Sequence, residues 1–325
     1  MKPRKPNRYR LSELLNEYLP RRGHRLRPAT IDMLQRSWRK LIAVLGDVPA
    51  DSLDADEAER FQAALLHEGY AATTVNMWCG SVAPVFTWAQ AKGLLDDQPF
   101  AGLGKLRAPR REIHIYDRDG IEAILFACPD DLARATVLAG LASLRIGEVQ
   151  NLTRGDVDFD RQVITVQPKP ESATTWRWDV KDIERRTVPL PDQLATLLLV
   201  RILPDLPVEQ PYLFLREDRW LHLLWLRSRG KLTDRMRGTP DSAYARRVRR
   251  ILDRANQKGT FHDNRKTCLT RWLEDGRLTP PQVQRLAGHA NIETTMRYYY
   301  RCDLSRAVET ARHIEVWNRN PMQAR

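Results

Sequence analysis

One arginine constrains this chain more than any other residue, because the helical period puts it on an apolar face. Cys268, Leu269, Trp272 and Leu273 lie three, four, seven and eight residues beyond Arg265, the repeat of a helix turned towards a core. A guanidinium cannot shed its charge, and burying it unpaired is very costly. The fold must therefore provide a cleft at the edge of the core in which Arg265 meets an anion. His262, three residues earlier, can point into the same cleft. Gly276 predicts the end of this helix. Thr279, Pro280 and Gln282 predict the N-cap, first position and capping-box partner of a short second helix. Gly288 closes that helix, leaving His289 on the turn beyond it.

A third helix, from about Asn291, carries three consecutive tyrosines. Met296, Tyr300, Leu304, Ala307, Val308 and Ala311 form one stripe, which predicts Tyr300 in the core. Tyr298 then projects about 160° away, off the core face, beside Thr294, Thr295 and Cys302. A tyrosine held there, near two histidines and a stranded arginine, is a candidate nucleophile towards a phosphate ester. The ordered set His262-x-x-Arg265-Lys266, then Leu286-x-Gly288-His289, then Tyr298 nine residues on, resembles the C-terminal signature of the tyrosine recombinases, the phage integrase family.

Earlier stretches extend the resemblance. Leu138, Leu141, Ala142, Val149 and Leu152 sit at helical spacings from Arg145 in a stretch predicted helical from Asp119 to about Leu152. Glu148 shares the face of Arg145, and a buried Arg145–Glu148 pair would account for both. LRIGEV followed by DVDF resembles the first arginine motif of the family, with Ser143 where a Gly is usual and Gly147 where a Ser is usual. Residues 162–167 and 185–190 are β-branched runs that predict a hairpin. In the family this hairpin carries a lysine that reaches the cleaved strand. Lys181 fits by its spacing to Arg186-Thr187-Val188-Pro189-Leu190, and Lys169 by its distance from Arg145. Lys181 is preferred. Trp176 and Trp178 on the long tip either stack on bases or pack the hairpin. Residues 201–240 carry no legible signal.

The N-terminal part reads as helices. Amphipathic runs begin near Leu11, Pro28, Asp54 and Thr73, enough for a small bundle. The phrase TVNMWCGSVAPVFTWAQAKGLLDDQPF resembles the close of the family's core-binding domain. The resulting organisation is a basic tail over 1–9, a helical core-binding domain over 10–103, a basic linker over 104–114 and a catalytic domain over 115–325 ending in a helix over 304–317. The fold class is mainly α with a small β-sheet or hairpin: a SAM-like N-terminal helical domain plus an α+β recombinase catalytic domain.

Charge agrees with a polyanionic partner. The 325 residues hold 53 Lys and Arg against 41 acids, for a formal net charge of +12. Lys105, Arg107, Arg110 and Arg111 in the linker, and Arg246 and Arg249 on a basic amphipathic helix, are candidate contacts to DNA phosphates. No apolar run is long enough to span a membrane, and the basic N-terminus lacks the apolar segment of a secretory signal. Cys79, Cys128, Cys268 and Cys302 show no paired spacing, which fits a reducing cytoplasm, where the resemblance implies a nucleoid-associated protein.

The resemblance implies cleavage and rejoining of double-stranded DNA through a 3′-phosphotyrosyl link. Tyr298 is the nucleophile. Arg145 and Arg265 hold the phosphate oxygens, Lys181 protonates the leaving oxygen, His262 exchanges a proton near Tyr298, and His289 hydrogen-bonds the phosphate. Glu148 and Lys266 support them. Two arginines supply the electrostatics, so no cofactor or metal is implied. The family acts as a homo-tetramer on two duplexes and is expected to be a monomer when free. A type IB topoisomerase or a non-catalytic DNA-binding protein of integrase descent are the competing readings.

Overall fold

The computed structural model describes residues 9–109, 113–180 and 185–299, with the backbone alone at Tyr299. Lys181, Arg110, Arg111, Tyr300, Cys302, the basic tail up to residue 8 and the helix predicted over 304–317 lie outside the described residues. The chain divides into two compact units, Met1–Arg111 and Glu112–Arg325.

The first unit is built from α1 (Leu11–Arg22), α2 (Pro28–Leu45), α3 (Ala55–His67) and α4 (Ala72–Ala91). Pro28 opens α2 at its first position, and Asp54 caps α3 by accepting the Glu57 N–H at 3.1 Å. Their apolar faces meet around Trp38, whose ring stacks on Phe86 at 5.3 Å and whose Nε1 donates to the Leu11 carbonyl at 2.8 Å. Leu11, Leu14, Leu41, Phe61 and Leu65 are buried around it, each contributing roughly 1.5–3 kcal/mol. Gly104 to Arg107 run along this unit. Asn76 brackets Leu106 with two hydrogen bonds of 2.9 Å, and Gln62 holds the Gly104 carbonyl at 3.0 Å.

The second unit begins with α5 (Arg118–Phe126), α6 (Asp131–Leu141) and α7 (Ile146–Gln150). A three-stranded antiparallel sheet follows, ordered β1 (Val157–Asp158), β2 (Val163–Val166) and β3 (Arg186–Pro189). Val166 faces Arg186 across the β2–β3 pair and Ile164 faces Val188. Next come α8 (Asp192–Leu197), α9 (Glu217–Ser228), α10 (Asp234–Gly238), α11 (Tyr244–Arg254), α12 (Phe261–Asp275), α13 (Pro280–Ala287) and α14 (Ile292–Tyr299). Among the described residues no helix is long and apolar enough to cross a membrane. The protein is mainly helical with a small sheet.

One expectation needs correcting. The helix read through Arg145 is broken. Ser143 takes φ 71, the Leu144 N–H returns to the Ala139 carbonyl at 3.2 Å, and the Ser143 N–H returns to Gly140 at 3.1 Å. This Schellman turn ends α6, and Arg145 becomes the N-cap of α7 with φ −76 and ψ 153. Helical spacing survived the break because both helices bury their apolar faces in the same core. α6 also lies close against α12: a Cβ at Gly140 would come within 2.8 Å of the Phe261 ring.

The hairpin tip, residues 167–180, folds back on the body. The buried Trp176 ring stacks on Tyr212 at 4.2 Å and its Nε1 donates to Asn151 at 3.0 Å. Trp178 is buried in the same core, so both rings pack the hairpin against the body. The region that carried no sequence signal supplies the grip. From α9, Arg227 donates to the Ser172 and Thr175 carbonyls at 2.6 and 2.7 Å, and Trp220 donates to Thr174 at 3.2 Å.

Candidate active site

The site gathers around the C-terminal end of α13. The last carbonyls of a helix lack partners within it and form its negative pole. Here three arginines from three separate stretches take three successive ones. Arg186 on β3 donates Nε to Leu286 at 3.0 Å, Arg265 on α12 donates to Ala287, and Arg145 donates Nη2 to Gly288 at 2.8 Å. Arg145 and Arg265 thus converge on one place.

Local chemistry explains each position. Thr260 and Asp263 form the capping box of α12: the Thr260 N–H donates to Asp263 Oδ2 at 2.6 Å and the hydroxyl at 2.9 Å. The other Asp263 oxygen takes Lys266, which is half-buried, so Lys266 supports the start of α12. Gly276 and Gly288 end α12 and α13 in the left-handed conformation, at φ 77 and 61. Gly288 meets a second demand: a Cβ there would come within 3.0 Å of the Arg186 side chain.

Arg265 is 1% exposed. It donates to the Ser143 and Ala287 carbonyls, and its Nε has no hydrogen-bond partner among the described residues. Burial above all, then the neighbouring Arg145 charge, pulls its pKa to about 10, so it stays charged at neutral pH. Arg145 keeps 20% of its side chain exposed and pairs with Glu148 at 3.0 Å. Its own N–H donates to the same carboxylate at 2.8 Å.

Glu148 also takes a second arginine. Arg186 reaches it with Nη1 at 2.9 Å and Nη2 at 2.6 Å, so each carboxylate oxygen accepts from both arginines. Burial would raise the Glu148 carboxyl; the hydrogen bonds and charge of Arg186, with the charges of Arg145 and Arg265, outweigh it and hold the pKa below the usual range. Arg186 is the site residue that the sequence reading missed. Its signal was present: Arg186, Val188 and Leu190 are in phase on one strand face, and all three are buried.

The two histidines remain neutral. Burial first, then Arg265, Arg145 and Arg186, pushes His289 down to about 3. His262 is more open to solvent. Partial burial and the Arg265, Lys266 and Arg145 charges lower its pKa, with Asp263 opposing. A neutral imidazole can accept a proton.

Tyr298 corrects a second expectation. It is not held off the core: it is 8% exposed and packs with Leu269, Leu273, Val283 and Ala287. Its ring lies parallel to that of His289, 6.1 Å between centroids. Thr295, one turn earlier, is fully buried because its hydroxyl meets His289 Nδ1 at 2.9 Å, whereas Met296 is half-buried. The periodic stripe rested on residues beyond 299; within α14 the packing partners are α12 and α13, and they select the opposite face.

Lys169 is also accounted for. Its ammonium is 7% exposed and bonded to Asp156 at 2.7 Å and to the Gln167 carbonyl at 3.1 Å. Burial lowers its pKa against the pull of Asp156. In the first unit Lys105 and Arg107 are exposed; in the second, Arg246 and Arg249 line the outer face of α11.

The chain is similar to known proteins over most of its length. The family model described as the phage integrase family matches residues 116–304. The tyrosine recombinase XerA of Thermococcus kodakarensis is 29% identical over 278 residues, covering 83% of this chain and 84% of its own. A tyrosine recombinase of Thermosipho africanus is 23% identical over 302 residues, covering 90% and 95%. Among solved structures, the Tn1549 transposon integrase in complex with a circular intermediate DNA superposes with a TM-score of 0.73 at 21% identity, over 94% of this chain and all of that one. The lambda integrase tetramer bound to a Holliday junction gives 0.61 at 16% identity, over 98% and 82%. At these identities the two structures speak for the fold.

Proposed function

The chain belongs to the phage integrase family of tyrosine recombinases, and from that premise we propose that Tyr298 cleaves DNA in the site gathered at the end of α13. The protein is a site-specific DNA recombinase, an enzyme that breaks and rejoins DNA strands.

The observation that carries the residue assignment is the convergence of Arg145 and Arg265 on neighbouring carbonyls, with the Tyr298 ring against His289. The Tyr298 oxygen attacks the scissile phosphorus, and its proton passes to neutral His262. The bond from phosphorus to the 5′ oxygen breaks, leaving a 3′-phosphotyrosyl link and a free 5′ hydroxyl. Lys181, outside the described residues, supplies the proton that the departing oxygen takes up. Arg145 and Arg265 hold the non-bridging oxygens; guanidinium forks match phosphate geometry and stabilise the charge that grows in the transition state. His289 hydrogen-bonds the same phosphate. Glu148 orients Arg145, and Lys266 holds the start of α12. The phosphotyrosyl link conserves the energy of the broken bond, so rejoining needs no nucleotide hydrolysis.

Lys105, Arg107, Arg110, Arg111, Arg246 and Arg249 are assigned to the DNA backbone, with residues 10–103 as the core-binding domain and 115–325 as the catalytic one. Two duplexes are exchanged within a homo-tetramer that forms from monomers. The assembly of lambda integrase on a Holliday junction supports that arrangement.

The test uses the full chain and a randomised pool of nicked duplexes, in which cleavage releases the short strand and traps the enzyme. The wild-type protein forms an adduct that survives denaturation, and sequencing the captured DNA identifies the site. Tyr298→Phe forms none, whereas Tyr299→Phe and Tyr300→Phe still do. An adduct from Tyr298→Phe removes this tyrosine from the role of nucleophile.

A further inference from the structure

Arg186 has no part in the reaction as written, yet it is buried at its centre. We propose that Arg186 is a positioning residue for strand cleavage: from β3 it holds the Glu148 carboxylate and the Leu286 carbonyl, and through them fixes Arg145 and His289 against the scissile phosphate. The proposal rests on the assignment of Tyr298 and its arginines in the preceding section.

Charge is the first argument. Arg145 and Glu148 alone sum to zero, and a neutralised pair does little for the extra negative charge that the phosphate gains in the transition state. A second guanidinium on the same carboxylate returns the group to a net positive charge. The pairing is built for this. Both Glu148 oxygens accept from both arginines at 2.6 to 3.0 Å, and Glu148 and Arg186 are only 3% and 7% exposed. In such a setting a charge acts strongly, because little water screens it.

Geometry is the second argument. A bidentate fork on a carboxylate leaves little rotational freedom. Arg186 uses Nη1 and Nη2 for that fork and Nε for the Leu286 carbonyl. Its side chain also packs on Gly288, the residue before His289. One arginine thus ties the sheet, the first motif arginine and the histidine turn together. A stabilising ion pair could equally face solvent; this one touches Gly288 and shares its carboxylate with a residue facing the phosphate.

Arg186→Lys keeps a charge but loses the fork, and Arg186→Gln loses both. The suicide duplex recovered by adduct capture is the probe, with Tyr298→Phe run in parallel as the control on the nucleophile itself. In folded protein, DNA affinity stays within about 3-fold, and the rate of adduct formation falls about 100-fold for Arg186→Gln and about 10-fold for Arg186→Lys. The pH profile changes as well. The groups facing Glu148 are Arg145, Arg186 and Arg265; without Arg186 its pKa rises, and the cleavage rate gains an acid limb absent from the wild type. In a Glu148→Gln background, Arg186→Gln then adds little further loss.

Wild-type rate and pH profile in either variant overturn the proposal. So does a rate loss that tracks thermal destabilisation with an unchanged profile, or a defect confined to DNA affinity. Arg186→Lys, which keeps charge and length, decides the matter where Arg186→Gln does not fold.

Discussion

Ser143 holds a left-handed backbone, φ 71, with its hydroxyl buried and without a hydrogen-bond partner among the described residues. A side chain makes that conformation costly by about 1 kcal/mol, and glycine adopts it freely. The turn is nevertheless kept, because its carbonyl receives Arg265. Ser143→Gly should therefore stabilise the protein by about 1 kcal/mol, read as a rise in the denaturant midpoint at constant slope, with Arg265 undisturbed. Legibility at this scale depended on period. Arg265 could be read because a cation in phase with Cys268, Leu269 and Leu273 contradicts an apolar helix face. Arg186 obeys the same logic with period two, but a four-residue strand offers too few repeats to make the contradiction visible. Tyr298 was placed on the wrong face, since a phenol can pack against leucines while its neighbour Thr295 satisfies a histidine.

At the scale of elements, caps were the most readable signals. Thr279 with Gln282, Gly276 and Gly288 bound their helices as the sequence predicted, since each satisfies backbone groups by local chemistry. The break between α6 and α7 was not readable, because it needs a serine in a glycine conformation. The grip of α9 on the hairpin tip was equally hidden, since it joins residues more than 45 positions apart through backbone carbonyls that any sequence possesses. Gly147 has a comparable long-range cause: a Cβ there would lie 2.8 Å from the Gly238 carbonyl at the end of α10. Gly147→Ser, which restores the residue usual in the family motif, should destabilise this protein by about 1–3 kcal/mol, because backbone must move to admit it. Thermal unfolding measures the loss. A melting temperature equal to the wild type would mean that α10 yields without strain.

For the molecule as a whole, amphipathic runs mark a helical N-terminal stretch, and a net charge of +12 favours a polyanionic partner. Binding that depends on many phosphate contacts releases counterions. DNA affinity should therefore fall roughly 1,000-fold or more between about 50 and 200 mM salt. Arg246→Ala and Arg249→Ala should each reduce the slope of log affinity against log salt by about one, measured by anisotropy on labelled duplex. An unchanged slope would take α11 out of the footprint.

The triple arginine cap at α13 has a consequence for the order in which this part of the chain can assemble. Its members stand at positions 145, 186 and 265, and the carbonyls they grip come later still. A chain that stops short of Leu286 can pair Arg145 and Arg186 through Glu148, but it lacks the three successive carbonyls that bring Arg265 to the same place. The three arginines can therefore close on one helix end only after α13 has been made, so the latest segment of the group sets its order of assembly.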